Sequence, residues 1–172
     1  MARNIEIKAR VANIEALSPK AAEIADHGPI EIRQDDTYFF CRNGRLKLRS
    51  LSPTEGELIF YQRSDQPGPK ESFYLMSSTT TPDNLREILS LVYGQIGFVH
   101  KDRTLFLVGR TRIHLDRVEG LGDFLEIEVV LSEGESPEAG MAEALDLLKK
   151  LGVSSQQPIE GSYLDLLNKI PE

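Results

Sequence analysis

Two glutamates two residues apart, Glu126 and Glu128, stand in the run Phe124-Leu125-Glu126-Ile127-Glu128-Val129, and a third, Glu6, stands in Asn4-Ile5-Glu6-Ile7-Lys8-Ala9-Arg10-Val11. Side chains of an extended strand alternate between its faces. Glu126 and Glu128 therefore share one face, and Asn4, Glu6, Lys8 and Arg10 share another, with Ile5, Ile7, Ala9 and Val11 opposite. Carboxylates spaced in this way, joined by one from a neighbouring strand, offer hard oxygen ligands for Mg²⁺ or Mn²⁺. Basic residues recur on the same principle: Arg45, Lys47 and Arg49; Arg63 beside Tyr61; Lys101 and Arg103; Arg110 and Arg112 with His114 and Asp116. Such donors clamp phosphate oxygens and stabilise the charge of an in-line phosphoryl transfer. A divalent metal and a polyanion are thus the chemistry these rows could perform.

The elements that must carry them are mostly strands. Beyond residues 4–11, alternation and turn residues predict strands near 29–34, 36–42, 45–51, 57–63, 71–77, 95–101, 103–109, 111–118 and 123–131. Asn43-Gly44 predicts a two-residue hairpin turn. Ser18-Pro19, Thr81-Pro82 and Ser136-Pro137 each set a capping hydroxyl before a proline at a first helical position, which predicts three helices. Gly94 and Gly152 mark the ends of the second and third. A short fourth helix is expected over 161–169. The chain carries no linker, repeat or low-complexity tract, so an α+β fold rich in antiparallel sheet, in a single domain over 1–172, is expected.

An open sheet with one wet face and cross-strand salt bridges would also display charged rows. The apolar opposite faces need covering, however, and the predicted helices can cover them. If the sheet curls, the charged face becomes a lumen, and a lumen of unpaired charge is costly unless partners, metal or ligand compensate it. Bases outnumber acids in these rows, so a polyanion with divalent cations would restore balance.

The 172 residues carry a formal net charge of −7, which argues against a nucleic-acid binder working through bulk positive charge. The single cysteine, Cys41, has no internal partner for a disulfide and points to a reducing, cytoplasmic setting. Neither a signal-peptide core nor an apolar run near the ~20 residues of a membrane span is present. The sequence has no Walker loop, no zinc-type Cys/His spacing and no Gly-x-Ser-x-Gly elbow. His27, His100 and His114 form neither a triad nor a metal cluster by spacing, and His114 reads as a structural donor.

Several runs resemble the CYTH family of triphosphate tunnel metalloenzymes, which includes class IV adenylate cyclases, thiamine triphosphatases and tripolyphosphatases. They are Asn4-Ile5-Glu6-Ile7-Lys8, Gln34 to Phe39, Leu46-Lys47-Leu48-Arg49, Lys101-Asp102-Arg103 and Ile113 to Glu128. The likeness extends from residue 3 to about 168 and is strongest in the last run, which is most similar to the cyclase branch. It implies a closed eight-stranded antiparallel barrel, a tunnel flanked by helices, with a triphosphate inside. By position it implies Glu6, Glu126 and Glu128 as holders of Mg²⁺ or Mn²⁺, with Asp116 a further ligand or a partner of one. Lys8, Arg49, Lys101 and Arg103 would bind phosphate. Lys47, Arg63, Arg110 and Arg112 join them by facing and proximity, and Arg10 by its place in the first row. Glu6, Lys8 and Arg49 are the residues expected at the catalytic step.

Two departures stand out. Asn4 occupies the place of the family's first glutamate, and Tyr61 that of a lumenal lysine, with Arg63 and Lys70 able to supply the charge. The expected activity is conversion of ATP to cyclic AMP and pyrophosphate, or hydrolysis of ATP, thiamine triphosphate or tripolyphosphate. A non-catalytic polyphosphate or nucleotide binder and a ligand-free salt-bridge lattice are the other readings. Oligomeric state stays open, a homodimer included.

Overall fold

Eight strands close into one antiparallel barrel in the computed structural model, which describes residues 2–65, 68–154 and 159–170. The strands are β1 (Ala2–Arg10), β2 (His27–Phe39), β3 (Arg45–Ser52), β4 (Glu55–Arg63), β5 (Lys70–Thr79), β6 (Gln95–Val108), β7 (Thr111–Val118) and β8 (Gly122–Val130). Helices α1 (Ile14–Ile24), α2 (Pro82–Tyr93), α3 (Pro137–Lys150) and α4 (Tyr163–Leu167) complete it. Around the barrel the order is β1-β5-β4-β3-β2-β6-β7-β8, and β1 closes the ring by pairing with both β5 and β8.

This order gives the barrel two distinct ends. At one, β1, β2, β4 and β7 finish while β3, β5, β6 and β8 begin; at the other the roles reverse. The apolar outer faces are covered as the alternation requires. Ile5, Ile7, Ile113, Leu115, Leu125, Ile127 and Val129 pack outward against Leu17 and Ala21 of α1 and Ala144, Leu147 and Leu148 of α3. Phe39 and Leu48 pack against Leu89 of α2. Helix α3 approaches β1 closely at Gly140, where an added Cβ would stand 2.8 Å from Ile5 Cγ1.

Several boundaries differ from the sequence reading. The segments 29–34 and 36–42 are one strand, β2, and 95–101 and 103–109 are one strand, β6. The polar runs at Gln34 to Asp36 and Lys101 to Arg103 look like breaks, yet a lumen accommodates their charge without ending the strand. Asn43-Gly44 is not a two-residue turn, because β2 ends at Phe39 and residues 40–44 connect it to β3. Helix α1 starts at Ile14, not at Ser18-Pro19, and holds Pro19 in its interior. Its first turn is fixed by Asn13 Oδ1, which accepts from Glu15 N, and by Asp123 Oδ2, which accepts from Ile14 N at 3.0 Å. Thr81-Pro82 and Ser136-Pro137 do begin α2 and α3.

Candidate active site

The inward face of the barrel encloses a cavity of about 280 Å³. Its wall includes Glu6, Lys8, Lys47, Arg49, Arg63, Lys101, Arg103, Arg112, Glu126 and Glu128. The alternation of side chains therefore brings most of the candidate residues together from six strands. Arg10 and Arg110 stay outside. Arg10 lies at the last position of β1, where its Nη1 donates to Leu121 O at 2.6 Å and its guanidinium stacks 4.7 Å from the Phe124 ring centroid. Arg110 sits in the turn before β7 and pairs with Glu135 and Glu143 near α3. Facing by residue parity fails at both because the strand geometry ends there.

The acids gather on one wall. Lys8 is the Cα partner of Glu126, and Glu6 that of Glu128, across β1 and β8. On the other side of β8, His114 partners Glu126 and Arg112 partners Glu128. His114, Glu126 and Glu128 each offer a ligand atom within 4.8 Å of the others. His114 Nδ1 lies 3.7 Å from Glu126 Oε1 and 3.9 Å from Glu128 Oε1, is buried, and makes no hydrogen bond. Two carboxylates and an unpartnered imidazole nitrogen converging on one point fit a hard or borderline divalent cation. Glu6 faces this group but its carboxylate is held by Arg63 Nη1. Burial alone would raise the Glu126 carboxyl, but Lys8 and its other partners hold it well below its ordinary value. Burial, reinforced by the Glu126 charge, raises Glu128.

The bases are ordered by two fully buried aspartates behind the wall. Asp36 accepts from Arg49 Nε and Nη2, both at 2.8 Å, from Lys47 Nζ at 3.1 Å and from Lys101 Nζ at 3.2 Å. Asp116 accepts both prongs of Arg103 at 2.7 Å and the Tyr163 hydroxyl at 2.7 Å. Asp116, expected as a metal ligand or a ligand's partner, is thus committed to aiming Arg103 rather than to the acid group. One carboxylate among three bases leaves surplus positive charge. Burial, then the neighbouring guanidiniums, outweigh Asp36 and lower Lys101 to about 7 and Lys47 to about 8. A polyanion would relieve that surplus.

Three contributors escaped the sequence reading, and a fourth, Lys70, entered it only as a source of charge near Tyr61. His114 was assigned a structural part, although its strand partner Glu126 places it in the acid group. Asp36 lay inside a resembling run without a role. Lys70, buried at the start of β5, is the Cα partner of Glu6 and supplies charge beside it. Tyr163, on α4, seals one end: its ring lies 3.9 Å from Lys8 Nζ and 4.9 Å from the Phe124 centroid. Only the Ser162–Asp165 capping pair signals that helix in the sequence.

A family model for the CYTH domain matches residues 2–163. The chain belongs to the CYTH family. The Aeromonas hydrophila protein named "Adenylate cyclase CyaB" is 26% identical over 94% of this chain and 87% of that protein. "Putative adenylate cyclase MJ0240" of Methanocaldococcus jannaschii is 30% identical over 80% of this chain and 69% of that protein. Among solved structures, the PH1012 protein of Pyrococcus horikoshii superimposes with a TM-score of 0.84 at 27% identity, covering 95% of this chain and 98% of the other. The closed barrel flanked by helices is the CYTH tunnel. No helix among the described residues is long and apolar enough to cross a membrane.

Proposed function

We propose that this CYTH protein is a divalent-metal-dependent enzyme acting on a triphosphate within the tunnel. The observation that carries the reading is the opposition of two charge groups in one cavity. His114, Glu126 and Glu128 form the acid group, and Lys47, Arg49, Lys101 and Arg103 the basic one. The acid group, with Glu6 beside it, would hold Mg²⁺ or Mn²⁺, which when bound supplies charge neutralisation at phosphate oxygens and lowers the pKa of a water or hydroxyl nucleophile.

The chain's own residues do the rest. Arg49 and Arg103, each gripped at two points by an aspartate, present rigid guanidinium forks to phosphate oxygens without further ordering. Lys101 and Lys47 add charge that is fully developed only when an anion sits beside it. Lys8, between Glu126 and the Tyr163 ring, is placed to move from carboxylate to phosphate as charge builds.

Two reactions share this geometry. A ribose 3′-hydroxyl attacking the α-phosphorus expels pyrophosphate and leaves cyclic AMP. Water attacking the γ-phosphorus leaves a diphosphate and phosphate. The names of the two relatives favour the first. Product analysis across ATP, thiamine triphosphate and tripolyphosphate separates them: cyclic AMP with pyrophosphate marks cyclisation, and inorganic phosphate marks hydrolysis. Asn4, a neutral amide in place of the family's first glutamate, favours a second reading, a binder without turnover. That reading requires tight triphosphate binding with no product in any of the three assays.

A further inference from the structure

We infer that Arg63 competes with the divalent cation for Glu6, so that this lumenal base sets how tightly the tunnel holds metal instead of serving as a phosphate grip. The inference rests on the metal reading above and adds a residue that opposes the metal.

Glu6 is the only acid on β1, because Asn4 supplies a neutral amide two positions earlier. What the first strand offers a cation thus depends on this one carboxylate. The register places it well for the task. Glu6 is the Cα partner of Glu128, and Glu128 stands with Glu126 and His114 in the acid group. The other side of β1 works against it. There Lys70 is the Cα partner of Glu6, and Arg63, from β4, donates through Nη1 to Glu6 Oε1. The Arg63 and Glu6 side chains are 5% and 9% exposed. Water therefore screens little of their attraction, and a cation approaching the same carboxylate meets a fixed positive charge.

Arg63 is not free to step aside. Its second prong, Nη2, donates to Gly161 O at 2.7 Å. That carbonyl belongs to a segment anchored on both flanks: Ile159 N donates to Lys8 O at 2.9 Å, and the Tyr163 hydroxyl donates to Asp116 at 2.7 Å. The guanidinium also lies 5.6 Å from the Tyr61 ring centroid. Burial opposes its charge, but Glu6, then Tyr61 and Glu126, more than offset burial and keep it protonated.

Lys8 makes the contrast. It meets Glu126 through one ammonium on a flexible stem and can follow a phosphate. Arg63 is a planar fork with one prong on an acid and the other on backbone, so a move to phosphate forfeits both bonds. A divalent cation that uses Glu6 must share the carboxylate with this fork or displace it, and either course lowers affinity. Removal of Arg63 should therefore strengthen metal binding.

Calorimetry of Mn²⁺ binding to the wild type, Arg63→Gln, Glu6→Gln and the double variant tests this, each variant first shown by thermal melting to be folded. Arg63→Gln should bind Mn²⁺ at least about tenfold tighter than the wild type, the low end of what a neighbouring opposite charge does to a carboxylate's affinity for a proton. In the Glu6→Gln background the same change should gain several-fold less, because the carboxylate it unmasks is gone. An unchanged or weaker Kd in Arg63→Gln, or an equal gain in both backgrounds, overturns the competition while leaving the metal reading intact. No Mn²⁺ binding by any of these proteins overturns both. If Arg63→Gln does not fold, the wild type carries the test: Mg²⁺ should shift the NMR signal of the Arg63 guanidinium, and a signal unmoved at saturating Mg²⁺ overturns the competition.

Discussion

Lys8 Nζ lies 3.2 Å from Glu126 Oε2, on adjacent strands whose register makes the two residues partners, and both are 7% exposed. This pair joins the acid wall to the basic one. It also changes what removal of Glu126 means. Facing alone suggests that Glu126→Ala relieves crowding of acids. In the folded chain it instead strands a buried ammonium, at a cost of about 3–5 kcal/mol where a buried pair is broken. The isosteric Glu126→Gln is the cleaner variant. It should lower Mn²⁺ affinity by at least about tenfold, the low end of what loss of even a ligand's hydrogen-bonding partner costs, while lowering Tm by less than Glu126→Ala. Undiminished Mn²⁺ binding, measured by calorimetry, would place the metal elsewhere.

Tripolyphosphate binding should weaken as pH rises. Lys101 and Lys47 are held near 7 and 8 by burial and neighbouring guanidiniums. A bound polyanion favours the charged ammonium and raises its pKa, so the gain in affinity is complete below about 7 and is lost as pH climbs through 7 to 8 and beyond. Affinity should fall at least about tenfold between pH 6.5 and 9, since each proton taken up on binding is worth up to tenfold per pH unit. Loss of the ligand's own last proton acts in the opposite direction. A flat or rising profile would show that neither lysine gains a proton on binding.

Asp36→Asn should destabilise the protein strongly. Asp36 is fully buried and accepts from Lys47, Arg49 and Lys101. Its neutralisation leaves these bases without that carboxylate, at a cost of about 3–5 kcal/mol and a Tm drop of roughly 6–20 °C. Tripolyphosphate should restore more of the Tm in this variant than it adds to the wild type, because it replaces the missing negative charge. Equal ligand shifts in both proteins would mean that the phosphate does not take Asp36's partners.

Tyr163→Phe isolates the link between the plug and the basic wall. It removes the hydroxyl that donates to Asp116 but keeps the ring against Lys8 and Phe124. A loss of about 1.5–3 kcal/mol is expected, the range for a hydrogen bond to a charged group. Chemical denaturation checks this, and an unchanged midpoint would show that Arg103 alone satisfies Asp116.

The charged rows were legible because a lumen preserves the period of two. Glu126 and Glu128, Lys101 and Arg103, and Lys47 and Arg49 all face inward as their spacing requires. What stayed hidden depends on partners distant in the chain. The start of α1 is set partly by Asp123, 109 residues from Ile14. His114 joins the acids only through the β7–β8 register. The plug at Tyr163 comes from a five-residue helix with little local signal beyond its cap. Arg10 and Arg110 share the right parity but stand where strand geometry ends.

Metal-dependent turnover of a triphosphate in this tunnel is tested most directly by product release from ATP, thiamine triphosphate and tripolyphosphate after chelation and after return of Mg²⁺ or Mn²⁺. The chelated protein should release no product, and at least one substrate should turn over once either metal is restored. Turnover that persists through chelation, or tight triphosphate binding without product under every metal condition, would contradict it.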